Sequence, residues 1–193
     1  MKRIVFVFSI LCLLCNISFS QQKNLTFKGI PIKGDMVSFA ENLKKQGYKQ
    51  LDLDLTDCIA LKGEFTGEDC IILVCTTPIT KTVYQILVLF DKEYTSWPSI
   101  KSDFQEKKKL YTQKYGTPSD DFSFFQPPFE ENDGYEMTAL KQDKCTYIVF
   151  YTEPQGDIFI RMDNTCRIGI NYRDKVGYKL HKEESNKQSI NEI

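Results

Sequence analysis

The sequence predicts an α+β protein made of two tandem helix-then-antiparallel-sheet units, packed as one compact two-layer body. Three observations carry that reading. An apolar run from Val83 to Phe90 feeds, through a short turn, into an amphipathic stretch ending at Tyr115. Alternating runs separated by glycine-bearing turns flank it on both sides, as hairpins do. The order of a helix followed by several strands then recurs, with Phe39, Leu43 and Tyr48 loosely matched by Phe104, Tyr111 and Tyr115.

The middle stretch is apolar on both strand parities. Val83, Leu87 and Leu89 share one parity with Gln85, while Tyr84, Ile86, Val88 and Phe90 share the other. This predicts a central strand covered on both faces. From Pro98 the period becomes helical, through Ile100, Phe104, Lys107 or Lys108, Tyr111 and Tyr115. Trp97-Pro98 suits the helix start and Gly116 with Pro118 its end, giving about five turns. Lys107, Lys108 and Lys109 are consecutive and so point in different directions, which favours a solvated face over an anion site.

In the first unit, residues 21–92, Leu25 to Lys28 reads as a short strand, and Gly29 and Gly34 bracket an irregular crossing at Ile30 to Ile32. Asp35 is placed to cap a helix whose stripe is Met36, Phe39, Ala40 and Leu43, ended by Gly47. Leu51, Leu53 and Leu55 alternate with Asp52, Asp54 and Thr56, which predicts a strand with leucines inward and acids outward. Asp52, Asp54 and Asp57 lack the spacing and glycine of a calcium loop. A meander follows, with Ile59–Phe65 and Cys70–Thr76 joined around Thr66 to Asp69, then Thr82–Phe90. Centring that hairpin on Gly67 brings Cys58 or Ile59 close to Cys75, so a Cys58–Cys75 disulfide is geometrically allowed; a slip of one residue would remove it.

The second unit, residues 93–178, contains an aromatic and proline-rich loop with Phe122, Phe124, Phe125, Pro127, Pro128 and Phe129. Packed down, these rings complete the core; exposed together, they form a contact patch rimmed by Glu130, Glu131 and Asp133. With Tyr94 and Trp97 they are the candidate partner-binding residues. Glu136–Lys141 reads as a strand, Cys145–Thr152 and Asp157–Met162 as a hairpin, and Cys166–Tyr172 as a further strand. Cys145 and Cys166 are a second candidate disulfide pair near the open end of those strands. Residues 179–193 read as a polar flexible tail.

The amino terminus sets the expected compartment. Lys2 and Arg3 precede an apolar run from Ile4 to Leu14, and Ser18-x-Ser20 offers small residues for cleavage, so residues 1–20 read as a signal peptide. The protein is then secreted or periplasmic, with lipid anchoring at Cys15 as the alternative reading. No segment after the leader is long and apolar enough to span a membrane. The full chain carries a formal net charge of -1, and loss of Lys2 and Arg3 leaves the mature part near -3. No basic patch accompanies a recognised nucleic-acid motif, so nucleic acid is not an expected partner. The five cysteines after the leader have no redox or metal-knuckle spacing, and no cofactor or metal site is expected.

No catalytic residues stand out. Glu64/Glu68 bracket a turn, Asp52/Asp54 lie on an exposed strand, and His181 is alone in a polar stretch. The leading function is therefore a non-catalytic binding module for a protein or cell-envelope component. A self-associating envelope structural or assembly protein and a carboxylate-dependent hydrolase are the alternatives, and the oligomeric state is open. The segments Phe27-Lys28-Gly29-Ile30-Pro31-Ile32-Lys33-Gly34, Lys45-Gln46-Gly47-Tyr48 and Lys114-Tyr115-Gly116-Thr117-Pro118 resemble an uncharacterised family of secreted Bacteroides-type proteins. More remotely, the repeated helix-then-sheet order resembles the tandem fold of beta-lactamase inhibitory proteins and small outer-membrane-assembly lipoproteins. The resemblance implies a doubled fold and carries no activity or contact residue with it.

Overall fold

The computed structural model describes residues 23–191. The expected signal peptide and Cys15 lie outside them. The chain forms a small hairpin of β1 (Thr26–Phe27) and β2 (Ile30–Pro31), then helix α1 (Met36–Lys44) and strands β3 (Lys49–Leu51), β4 (Cys58–Phe65), β5 (Glu68–Thr76) and β6 (Val83–Phe90). Helix α2 (Trp97–Tyr115), strand β7 (Asp120–Phe125), helix α3 (Glu136–Lys141), strands β8 (Cys145–Glu153), β9 (Gly156–Met162) and β10 (Ile168–Asp174), and helix α4 (Lys175–Asn191) follow. This is a mixed α+β architecture. Strands β3 to β10 make one antiparallel sheet in the order β3-β4-β5-β6-β10-β9-β8-β7. β3 and β7 are its edges.

The helices arise where local chemistry favours them. Asp35 accepts a hydrogen bond from the Ser38 amide at 2.8 Å and starts α1, which buries Phe39, Ala40 and Leu43. α2 begins at Trp97-Pro98, stops at Gly116 (φ 84°), and buries Ile100, Phe104 and Tyr111. One core joins these side chains to Ile72, Val74, Ile86, Val88, Phe90, Ile158, Ile160, Ile168, Ile170 and Val149. Along each strand these residues share one parity, so α1, α2 and the β1–β2 hairpin lie on a single face of the sheet.

Several elements differ from the sequence reading. The strand expected through Leu55 ends at Leu51, because β3 pairs with β4 only from Lys49↔Lys62 to Leu51↔Ala60; Leu53 and Leu55 are exposed. Glu136–Lys141 is a helix, burying Ala139 and Leu140 on the core. The aromatic stretch is in part the edge strand β7 rather than a loop. The expected polar tail is helix α4 up to Asn191, which buries Gly177 and Glu184 and is exposed from Asn186 onward.

Two joints position α4. A register irregularity between Cys75 and Thr76 pairs Thr76 with Val83 and turns Tyr84 out of the main core. Tyr84 then stacks on His181, with ring centroids 4.3 Å apart, and Arg173 lies 4.1 Å from the Tyr178 ring. Arg173 has the parity opposite to Ile170 and Tyr172, so α4 covers one end of the face that the other helices leave bare. Gly177 permits this approach, since a Cβ there would sit 2.7 Å from the Tyr84 Cβ.

The β4–β5 turn uses Thr66 and Gly67 at φ 54° and 84°, the left-handed pair of a two-residue hairpin. That register sets Cys58 directly opposite Cys75, and the two are joined by a disulfide with Cα atoms 4.2 Å apart. Cys70, Cys145 and Cys166 keep free, buried thiols. The second candidate pair is thus corrected: Cys145 opens β8 and Cys166 precedes β10, with β9 lying between those strands.

Candidate functional site: the open face of the sheet

Side chains of the second parity form a band across the seven strands β4 to β10. Its rungs follow the register: Ala60, Leu73, Leu87, Asn171, Phe159, Phe150; then Lys62, Ile71, Leu89, Gly169, Arg161, Ile148, Phe122. Ile71, Leu73, Leu87, Leu89, Ile148, Phe150 and Phe159 are all half-buried, shielded by one another and, among the described residues, by no helix beyond the α4 end. At the edge, Phe122 and Phe124 are 45% and 47% exposed. Phe150 touches both Phe159 and Phe122, at centroid separations of 5.3 and 6.4 Å.

Few polar groups interrupt this band. Gln85 Nε2 donates to Asn171 Oδ1 at 2.6 Å, and Arg173 pairs with Asp157 at 3.2 Å. Arg161 stands exposed between Gly169 and Ile148, where glycine leaves room beside it. The surface offers apolar contact with one exposed guanidinium, that of Arg161, and the Lys62 ammonium at its β4 end.

The candidate residues from sequence separate into two groups. Tyr94 and Trp97 are buried: Tyr94 Oη donates to Asp103 at 2.6 Å, and Trp97 packs edge-on against Tyr147 at 5.0 Å. Phe125 and Phe129 are half-buried against the same core, on the helix side. These four are core residues, because the helix-bearing face needs rings to fill the gap between α2 and β8. Phe122 and Phe124 alone of the six belong to the open face. The sequence reading passes over the central residues of the band, although Leu87 and Leu89 on the second parity of β6 are the available signal.

Other chemistry is resolved into structural roles. The three-lysine run splits: Lys107 is buried over the Phe90 ring and paired with Glu68, Lys108 pairs with Asp121, and Lys109 faces solvent. Asp52 and Asp54 lie exposed after β3. Among the described residues no group of three or more His, Cys, Asp or Glu is placed to hold a metal ion. Burial pushes the Cys70 thiol up to about 11 and the Cys145 thiol up to about 12, with Glu131 and Glu136 adding to the latter. Both stay protonated near neutral pH and are poor nucleophiles. A recess of about 190 Å³ between α2 and the sheet is lined by Phe65, Lys107, Tyr111 and Tyr172, whose two tyrosine hydroxyls bond each other.

Among the described residues no helix is long and apolar enough to cross a membrane. Comparison with family models, with curated proteins and with solved structures finds no match for this chain.

Proposed function

We propose that this chain is a non-catalytic binding module of the exported compartment, taking a protein or envelope component on the open face of its sheet. The single observation that carries the reading is the band from Ile71 and Leu73 through Leu87 and Leu89 to Phe159, Phe150 and Ile148: large apolar side chains that no described helix covers. Such a surface gains by desolvation when a complementary one is laid on it. Arg161, on β9 within the band, favours a partner that brings a carboxylate into an otherwise apolar contact. The Cys58–Cys75 bridge supports export, because disulfides persist in oxidising compartments.

The doubled organisation belongs to the same proposal. α1 with β3–β6 and α2 with β7–β10 are two units of one plan, each a helix and a four-strand meander. What supports this is the mirrored strand order, in which the last strand of each meander, β6 or β10, meets its counterpart at the centre. The proposed contact band crosses that junction.

A photo-crosslinking residue placed at Leu87 or Phe159, with Lys109 on the solvent side of α2 as control, tests the binding reading in envelope extracts of the source cell. The expected result is one discrete heterologous adduct from Leu87 and Phe159 and none from Lys109. Identical adduct patterns from all three positions would remove the open face from the function.

A further inference from the structure

We infer that the exposed edge of β7 is a self-association surface, pairing antiparallel with β7 of a second copy about a twofold axis through Ser123. The Gln126 amide donates to the Lys144 carbonyl at 2.7 Å, which fixes the even-numbered residues of β7 as those bonded to β8. The amides and carbonyls of Asp121, Ser123 and Phe125 therefore point away from the sheet, toward open edge.

Of the five twofold registers that would use those outward groups, the one centred on Phe122 sets Asp120 against the Phe124 ring and the one centred on Phe124 sets Asp121 against Pro127, which leaves three. Centring on Asp121 sets two like charges directly opposite each other, which is unfavourable. Centring on Phe125 runs the pairing into Pro127 and Pro128, which have no amide hydrogen. Centring on Ser123 avoids both faults. It bonds Asp121 to the second copy's Phe125 position and Ser123 to its equivalent, and sets Phe122 opposite Phe124 in the closely spaced, non-hydrogen-bonded pairs. The two most exposed phenylalanines of the edge then cover each other twice over.

Charge fits the same register. Asp120 and Lys144 are both exposed and, among the described residues, neither has an ion-pair partner. Lys144 leans toward the edge, its Nζ donating to Gln126 Oε1 at 3.2 Å. The Ser123-centred axis lays Asp120 of one copy opposite Gln126 of the other, on the face where Lys144 leans. Each interface thus gains two symmetric Asp120–Lys144 pairings, and the result is an isologous contact that closes on itself. This surface is distinct from the centre of the open face, so either can fail without the other.

Sedimentation velocity over a concentration series, with purified chain lacking the leader, tests the inference. A monomer–dimer equilibrium is expected. Ser123→Pro removes only an outward amide and should leave a monomer with unchanged circular dichroism. Asp120→Lys should weaken the dimer about tenfold, and the Asp120→Lys/Lys144→Asp double variant should restore it. Ser123→Cys should form an intermolecular disulfide under mild oxidation, since paired Cα atoms in such a ladder lie about 5.5 Å apart. A wild-type chain that stays monomeric throughout the series, a dimer unaffected by Ser123→Pro, or a Ser123→Cys variant whose new thiol labels freely without crosslinking would each overturn it.

Discussion

Glu184 shows how one buried polar residue decides the fate of a whole segment. Its carboxylate accepts from the Ile79 amide at 2.7 Å, the Thr80 amide at 3.0 Å and the Thr80 hydroxyl at 2.7 Å, tying α4 to the β5–β6 turn. Burial opposes its ionisation, but the hydrogen bonds from Thr80 and Ile79 outweigh that and hold the group down to about 2, against an ordinary 4.5. A depressed folded-state value means the stabilisation is complete above about pH 4.5 and is lost as pH falls toward 2. The protection of the Ile79 and Thr80 amides, taken relative to intrinsic exchange at each pH, should fall over that window, and Glu184→Gln should bring the same loss to neutral pH, at a cost of about 1–3 kcal/mol. Protection that is as high at pH 3 as at pH 6 in the wild type would contradict this role. Arg161 and Lys107 make the complementary point: both are basic, yet the first stands on the open face while the second is held under Glu68. No residue-type rule separates them; their strand parity and helix position do.

At the scale of elements, regular periodicity is readable and sparse periodicity is not. α1, α2 and the β4–β5 and β8–β9 hairpins announce themselves through apolar spacing and turn residues, and the Cys58–Cys75 proximity follows from the Gly67-centred turn. The sequence overextends β3 because Leu53 and Leu55 continue the alternation although the chain leaves β4 after Leu51↔Ala60, short of Ile59 and Cys58. α3 spans under two turns, too few for a helical stripe to be told from a strand. β7 is masked by the prolines just beyond it. α4 leaves little trace because its buried contacts are Gly177 and Glu184 rather than an apolar stripe. That same feature gives a direct test. Gly177→Ala would press a methyl group against Tyr84 and should loosen α4 by about 1–3 kcal/mol, read as faster exchange across 175–191 with the β-sheet core unaffected. Unchanged protection of α4 would show that it is not held by close contact at Tyr84.

At the scale of the molecule, the arrangement follows from supply and cover. The strands carry apolar side chains on both parities, while α1, α2 and α3 cover one face and α4 only the end of the other. The sequence displays the excess but not its placement: apolar residues on both parities read equally well as a strand buried on both sides. The aromatic stretch draws the site toward Tyr94 and Trp97, which fill the core, and away from Leu87 and Phe159, which do not. Adjacent positions on β6 distinguish the two faces most directly. In purified Leu87→Cys and Val88→Cys variants, labelling by a polar maleimide under native conditions should be rapid at position 87 and should require unfolding at position 88, with the native buried thiols silent in both. Equal protection of the two positions would mean that the second face is covered, and the account of an open apolar sheet would fall.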